Sequence, residues 1–374
     1  MEKKVTMRKI NKIQIALIIL ISMPIIMFGG NEQRAGQAGA SELLLNPWAR
    51  SSGLSDANSA SVRGLESIYS NIAGTAFTKK TELIFSRSSW FSGADININA
   101  FGITQRVGET GAMSLAVTSL DFGKIMITTV ELPEGGVGFF HPQYTTINLA
   151  YAKEFSNSIN GGLNFKVLNQ SISDLNATGV ALDAGIQYVT GVGKDKAGNK
   201  KSDNLKFGIS LKNVGPTMKF RGDGLSFRGQ GDDGANMTVE QRSADFELPS
   251  LLKIGGAYDI PIVVKPDTAS GKTKVDQLVT LSATFTSNAF TRDQFHFGLE
   301  YNFKNLVIIR GGYLYEKGIN KTDSRIVALK GPSAGASIQI PLNKEKGSVF
   351  SLDYSYRSTE NFAGCHSIGV RVSL

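Results

Sequence analysis

The chain of 374 residues has one cysteine and three histidines. A single cysteine excludes a disulfide framework and leaves no material for a cysteine-built zinc site. Charged residues are only 19% of the chain against 41% hydrophobic ones, the reverse of a long disordered chain. Alanine, leucine, glutamate and lysine are too scarce for a soluble helical protein. The 41 glycines follow no three-residue period, which excludes collagen. No dense lysine or arginine patch is present, so nucleic acid is not an expected partner.

The start of the chain stands apart. Lys3, Lys4, Arg8, Lys9 and Lys12 precede an apolar run from Ile13 to Phe28, followed by Gly29 and Gly30. Basic, apolar, then small is the order of a secretory signal peptide. The run is short of the ~20 apolar residues that a membrane-anchoring helix, the competing reading, requires. Residues 1–30 are read as a signal peptide, with a mature start near Asn31. Without them 35 basic residues face 31 acidic ones, a net charge of +4 against +8 for the whole chain. Half of the apparent basicity therefore belongs to the leader.

From about Thr81 onward the dominant period is two. Val180, Leu182, Ala184, Ile186 and Tyr188 alternate with small or polar residues, as do Phe295, Phe297, Leu299, Tyr301 and Phe303. Phe350, Leu352, Tyr354 and Tyr356 repeat the pattern, and so do Ile368, Val370, Val372 and Leu374. Such alternation describes strands with one apolar face. A soluble sandwich turns that face inward, and a transmembrane barrel turns it toward lipid. Three features favour the barrel. Many segments have the ~9–11 residues of a tilted membrane strand. Trp90-Phe91, Tyr258, Tyr301 to Phe303 and Tyr313 to Tyr315 sit near strand ends, as an interfacial girdle requires. Asp183, Glu300, Arg310, Asp353 and Arg371 fall on the non-apolar face, which a lumen tolerates.

The expected fold is an all-β transmembrane antiparallel barrel over residues 81–374. At ~21 residues per strand and connection it has about 14 strands. The count includes a strand at 124–131 and treats 327–341 with 347–357 as one strand. Tight turns at 108–111 and 156–158 are assigned to the inner side. The longer connections 192–204, 219–247 and 264–276 are assigned to the outer side. Residues 31–80 do not alternate. They are read as an N-terminal plug or hatch, with a short helix over 57–69, and a periplasmic arm as the alternative. Trp48, Leu65, Asn71, Ala73 and Gly74 are its candidate functional residues.

Several stretches carry a family resemblance. Ser51 to Gly74 is a small-residue-rich segment closed by Asn71, Ala73 and Gly74, with Ile72 in the place of a proline. Gly208 to Pro216, Leu248 to Tyr258, Phe297 to Phe303 with Ile309 to Tyr313, and His366 to Leu374 follow in order. Together, over about residues 40–374, these resemble the PorV/PorQ family of FadL-like outer-membrane barrels of the type IX secretion system in Bacteroidetes-type bacteria. The resemblance implies a non-enzymatic, cofactor-free barrel in the outer membrane of a Gram-negative bacterium. It implies membrane lipid, secreted cargo, a large translocon barrel and surface attachment proteins as partners. A FadL-like transporter of hydrophobic small molecules is the alternative. That reading expects an apolar pocket beneath the plug, lined by Trp48, Leu43 to Leu45 and Leu65.

Other residues draw attention for chemistry. His296 and Glu300 share a strand face, and with Arg310 they form a candidate lumen network. His141 and His366 have no metal-spaced partners. Asp223, Phe227, Asp232 and Asp233 lie in a glycine-rich stretch read as a candidate partner-binding loop. Its aspartates match no complete calcium loop.

Overall fold

The computed structural model describes residues 30–193, 203–232, 234–266, 273–343 and 347–374. Eighteen strands are present among them: β1 (Thr81–Ser89), β2 (Asn97–Val107), β3 (Gly111–Asp121), β4 (Ile125–Ile127), β5 (Gly138–Phe140), β6 (Gln143–Glu154), β7 (Ile159–Ile172), β8 (Leu175–Thr190), β9 (Leu205–Val214), β10 (Ser226–Gln230), β11 (Asn236–Glu240), β12 (Leu251–Pro266), β13 (Thr273–Asn288), β14 (Gln294–Phe303), β15 (Val307–Glu316), β16 (Leu329–Asn343), β17 (Ser348–Thr359) and β18 (Cys365–Ser373). Fourteen of them form one closed antiparallel barrel, sealed where β1 meets β18 in the register Phe85↔Val370. The remaining four make two hairpins outside the wall, β4 with β5 and β10 with β11.

The alternation in the sequence becomes the two faces of this wall. One outward row runs through Leu352, Val370, Phe85, Phe101, Val117, Ile147 and Val167, each the cross-strand partner of the next. Phe101 is 53% exposed and Ile309 56%. A continuous apolar belt of this extent is stable against lipid and not against water. The inward face carries Ser114, Asn164, Asp183, Lys212, Lys253, Arg310 and Arg371, all buried.

The strand number agrees with expectation, but two elements differ and compensate. Residues 124–131 do not cross the wall. Gly123, at φ +72°, turns the chain after β3, and Ile125–Ile127 pair with β5 in a short hairpin. Conversely, 329–343 and 348–359 are two full strands. The strand order sets which end each later connection faces. β8 is the sixth wall strand and β12 the eighth. Thr190 and Leu205, and likewise Pro266 and Thr273, therefore lie at the end that holds the C-terminus, here called the terminal end. The connections 192–204 and 264–276, expected on the outer side, start from the same end as the turns assigned to the inner side, and their residues 194–202 and 267–272 lie outside the described residues. The 108–110 and 155–158 turns share that end, and 215–250 lies at the opposite, distal end.

The aromatic residues also divide. Tyr313 and Tyr315 face outward, whereas Trp90 is 8% exposed and packs into the distal rim with Ile98, Leu120 and Cys365.

Candidate functional site

Residues 30–80 run through the lumen. Near the distal mouth Glu32 pairs with Arg292 at 3.0 Å, and the Gly39 amide donates to the Glu247 carbonyl at 3.0 Å. The segment then descends to β1 at the terminal end. The expected helix over 57–69 is absent. Helix α1 (Ala49–Gly53) and helix α2 (Ser67–Ser70) are single turns, and a 3-10 stretch covers Ile72–Phe77. Ser55 at φ +50°, Asp56 at +64° and Gly64 at +75° break the longer helix. Short polar side chains in between bond to their neighbours instead, as when Asn58 donates to Ser51 Oγ at 2.9 Å.

The segment is fastened on one side by apolar packing. Trp48, Leu65, Ile68 and Ile72 lie against Ile84, Ala100, Ala116 and Ala150 of the wall. The small alanines make room for the large side chains of the segment. Asn71 explains its neighbours. Its Oδ1 accepts from the Ala73 amide at 3.2 Å, and its Nδ2 donates to the Ile186 carbonyl on β8 at 3.1 Å. This approach needs the bare backbone of Gly185, where a Cβ would stand 2.2 Å from Asn71 Oδ1. A Cβ at Gly74 would stand 2.2 Å from the Val62 carbonyl oxygen.

Elsewhere the fastening is ionic. Glu66 pairs with Arg371, which also reaches Asp353 at 3.4 Å. Ser337 links Asp353 to Arg310, and Arg310 pairs with Glu300 at 2.6 Å. Asp56 pairs with Arg357 at 3.3 Å. Burial alone would raise the Asp56 carboxyl, but Arg357, Lys253 and His296 around it, with a hydrogen bond from Asn46, hold it below the ordinary carboxylate value. On the neighbouring wall Asp183 accepts from Lys166 at 2.7 Å and from the Asn213 amide at 2.7 Å.

Of the expected network, Glu300 and Arg310 are brought together and His296 is not. His296 Nδ1 donates to the Ser55 carbonyl at 2.6 Å, and its Nε2 is buried without a partner. The strand period puts His296 and Glu300 on one face. The looping segment between them decides that they do not meet. His141 contacts Asp121 at 2.6 Å, and His366 contacts the Tyr354 hydroxyl at 2.8 Å, both at the distal rim. Asp223 and Asp232 are exposed in the distal connection, and Phe227 is 52% exposed on β10. Asp233 lies outside the described residues.

Beside a narrow space of about 40 Å³ between Leu43, Leu45 and Trp48 and the wall at Ala116, Thr146 and Lys166, two larger cavities flank the segment. A distal cavity of about 360 Å³ has apolar walls that include Leu44, Leu45, Trp90, Phe91 and Leu314. Its polar members include Asp56, Lys253, His296 and Arg357. Two cationic side chains there face one carboxylate. Lys253 is 4% exposed, and its Nζ lies 5.2 Å from the Tyr69 ring centre. Among the described residues it has no carboxylate within 4.0 Å. A second cavity of about 280 Å³, lined by Arg50, Arg63, Lys206, Asp259 and Glu300 among others, lies toward the terminal end. The residues expected to line an apolar pocket divide between spaces: Leu44 and Leu45 line the distal cavity, Leu43, Leu45 and Trp48 line the narrow space at Ala116, and Leu65 is enclosed in packing. Sequence reading missed Lys253 and Arg357, because each looks like an ordinary lumen-face charge until the cavity is seen.

No protein-family model and no curated relative matches the chain. Among solved structures it is similar to the Pseudomonas putida toluene transporter TodX, at 13% identity and a TM-score of 0.49, over 88% of this chain and 97% of that one. The Ralstonia pickettii toluene transporter TbuX gives 10% and 0.46 over 83% and 92%. A Pseudomonas aeruginosa FadL homologue gives 10% and 0.47 over 87% and 96%. Similarities this distant assign no function, so the residues themselves have to carry it.

Proposed function

We propose that the protein is an outer-membrane barrel that takes up an amphipathic small molecule, with an apolar body and an anionic head, through its distal cavity. One observation carries the reading: apolar walls converge on a buried floor where Lys253 and Arg357 outnumber Asp56. Binding sites of this kind are mostly apolar with a few placed polar groups that fix orientation. The head group exchanges its water for Lys253, and the tail lies along Leu44, Leu45 and Phe91. The closed barrel and its outward apolar belt support an outer-membrane location. No catalytic step belongs to this reading.

The test is Trp90 fluorescence in purified barrel, with Trp48→Phe as background, titrated with dodecanoate and with dodecanol. Saturable binding of dodecanoate, weaker binding of dodecanol and loss of that difference in Lys253→Met are expected. Equal binding of both compounds would overturn the anionic head, and no saturable signal would overturn uptake.

A second reading rests on the distal hairpin. Phe227, Met237 and Val239 form an exposed apolar face on β10 and β11, with Arg228, Thr238 and Glu240 on the other. Two short strands with a bare apolar face gain stability from a partner. This favours a component of type IX secretion, with cargo, a translocon barrel or attachment proteins docking there. Affinity purification from outer membranes tests it. Secretion proteins recovered with the wild type and lost in Phe227→Ser would support it, and recovery unchanged by the substitution would remove this surface.

A further inference from the structure

We infer that the terminal cavity is a second anion-binding station, reached from the distal cavity along the inner faces of β12, β13 and β14. The inference rests on the uptake reading and extends it from entry to passage. The inward residues of these strands form three neighbouring columns. On β12 they are Lys253, Gly255, Ala257 and Asp259. On β13 they are Thr286, Thr284, Ser282 and Thr280, and on β14 His296, Gly298, Glu300 and Asn302. The first member of each column lines the distal cavity, and the last member lines the terminal one.

Between the cavities the wall offers only small side chains, and the segment inside it is small as well. A Cβ at Gly255 would stand 2.3 Å from Ser59 Oγ, and one at Gly298 would stand 3.0 Å from the Ala57 Cβ. The Ser59 amide donates weakly to Thr284 Oγ1 at 3.4 Å. Ala57 to Ser59 thus form the partition between the two spaces. Buried polar atoms without partners follow the same line: Thr286 Oγ1, His296 Nε2 and Ser59 Oγ. Groups left unpaired in a low-dielectric interior call for a polar occupant.

The terminal cavity holds cations that can receive the head group. Among the carboxylates that line it, Asp259 is already paired with Lys206 at 2.6 Å, Glu300 with Arg310 at 2.6 Å, and Glu66 with Arg371. That leaves Arg50 3.9 Å from Glu300. The Arg63 guanidinium lies 4.4 Å from the Phe77 ring centre and, among the described residues, has no carboxylate within 4.0 Å. The ligand class is a monoanion with an apolar tail. Its head leaves Lys253, crosses where Ala57 to Ser59 give way, and is held by Arg50 and Arg63.

The test uses the full barrel with Ser59→Cys and Gly255→Cys in a Cys365→Ser background, reconstituted in vesicles. The probe is decanesulfonate, whose head stays ionised. Binding is read by calorimetry and entry by vesicle uptake. With the disulfide formed, uptake is expected to fall to that of protein-free vesicles while distal binding stays intact, and reduction of the same sample restores uptake. Arg63→Gln is expected to slow uptake without weakening distal binding. Full uptake through the oxidised barrel with binding intact overturns the path. Unchanged uptake in Arg63→Gln joined to Arg50→Gln overturns the second station. Absence of binding in the unlocked barrel overturns the uptake reading itself, and the inference with it.

Discussion

The two sides of the lumen are built differently. Where β1, β2, β3 and β6 face the threaded segment, large side chains of the segment fill spaces left by wall alanines, and polar contacts such as the Leu65 amide to Glu82 at 2.8 Å and Arg106 to the Ala76 carbonyl at 2.7 Å gather toward the terminal end. Where β12 to β17 face it, contact is made through ion pairs, single hydroxyls and glycine backbone, and cavities remain. Apolar packing is non-directional, and its benefit is lost when the surfaces part. Ion pairs in a wet lumen can exchange one partner for another, including a solute. The first side anchors, and the second side can yield.

The comparison predicts a graded set of effects. The largest belongs to the anchor. Trp48→Ala leaves a cavity between Ile84 and the segment, and a loss of about 4 kcal/mol is expected. Denaturant unfolding of the barrel in detergent, with protease susceptibility of residues 40–78 as a second readout, measures it. A loss below about 1 kcal/mol would deny the anchoring role. Next is Glu66→Gln, which leaves Arg371 with Asp353 alone. About 3 kcal/mol is expected, partly recovered when Arg371→Met is added. A double variant no more stable than the single one would break that account.

Asn71→Ala removes the bond from the Ala73 amide and those to the Ile186 and Ile209 carbonyls, for about 2 kcal/mol. Its signature is release of the segment near Gly185, visible as faster amide exchange at Ala73. Acid gives a smaller and reversible change. The folded carboxyl of Asp56 titrates below its unfolded value, so its contribution is complete above the unfolded value near pH ~4. It fades as pH falls through the lower folded value. Protease susceptibility near Asp56 should stay flat from neutrality to about pH 4 and rise below it. In Asp56→Asn this acid dependence should shrink. The smallest effect belongs to Phe227→Ser, an exposed position where stability should change by less than about 0.5 kcal/mol.

Much of the wall was legible because lipid imposes a strict rule. Every second residue must be apolar across the belt, so Ile186, Phe207 and Leu352 announce their orientation from sequence. The rule fails where the membrane does not reach. Ile125 to Ile127 are apolar enough to read as a membrane strand, yet they belong to a hairpin beyond the wall. The threaded segment was readable only as an exception to alternation. Asn71 and Gly74 stood out, but no local pattern reports which wall strand receives them. His296 shows the limit clearly. Its strand face was apparent, while its partner, the Ser55 carbonyl, depends on a left-handed turn in a distant stretch.

By itself, then, the sequence determined the all-β class, the even barrel of about fourteen strands, the outward face of each well-alternating strand and the separate character of residues 31–80. Those features follow from near-neighbour chemistry repeated along the chain. The tertiary structure alone decided the path of the segment, the pairing of Glu66 with Arg371 and Asp56 with Arg357, and the position of Lys253 on a cavity floor. Each of these brings together groups from distant parts of the chain in a closed barrel, and closure sets distances that no local period encodes.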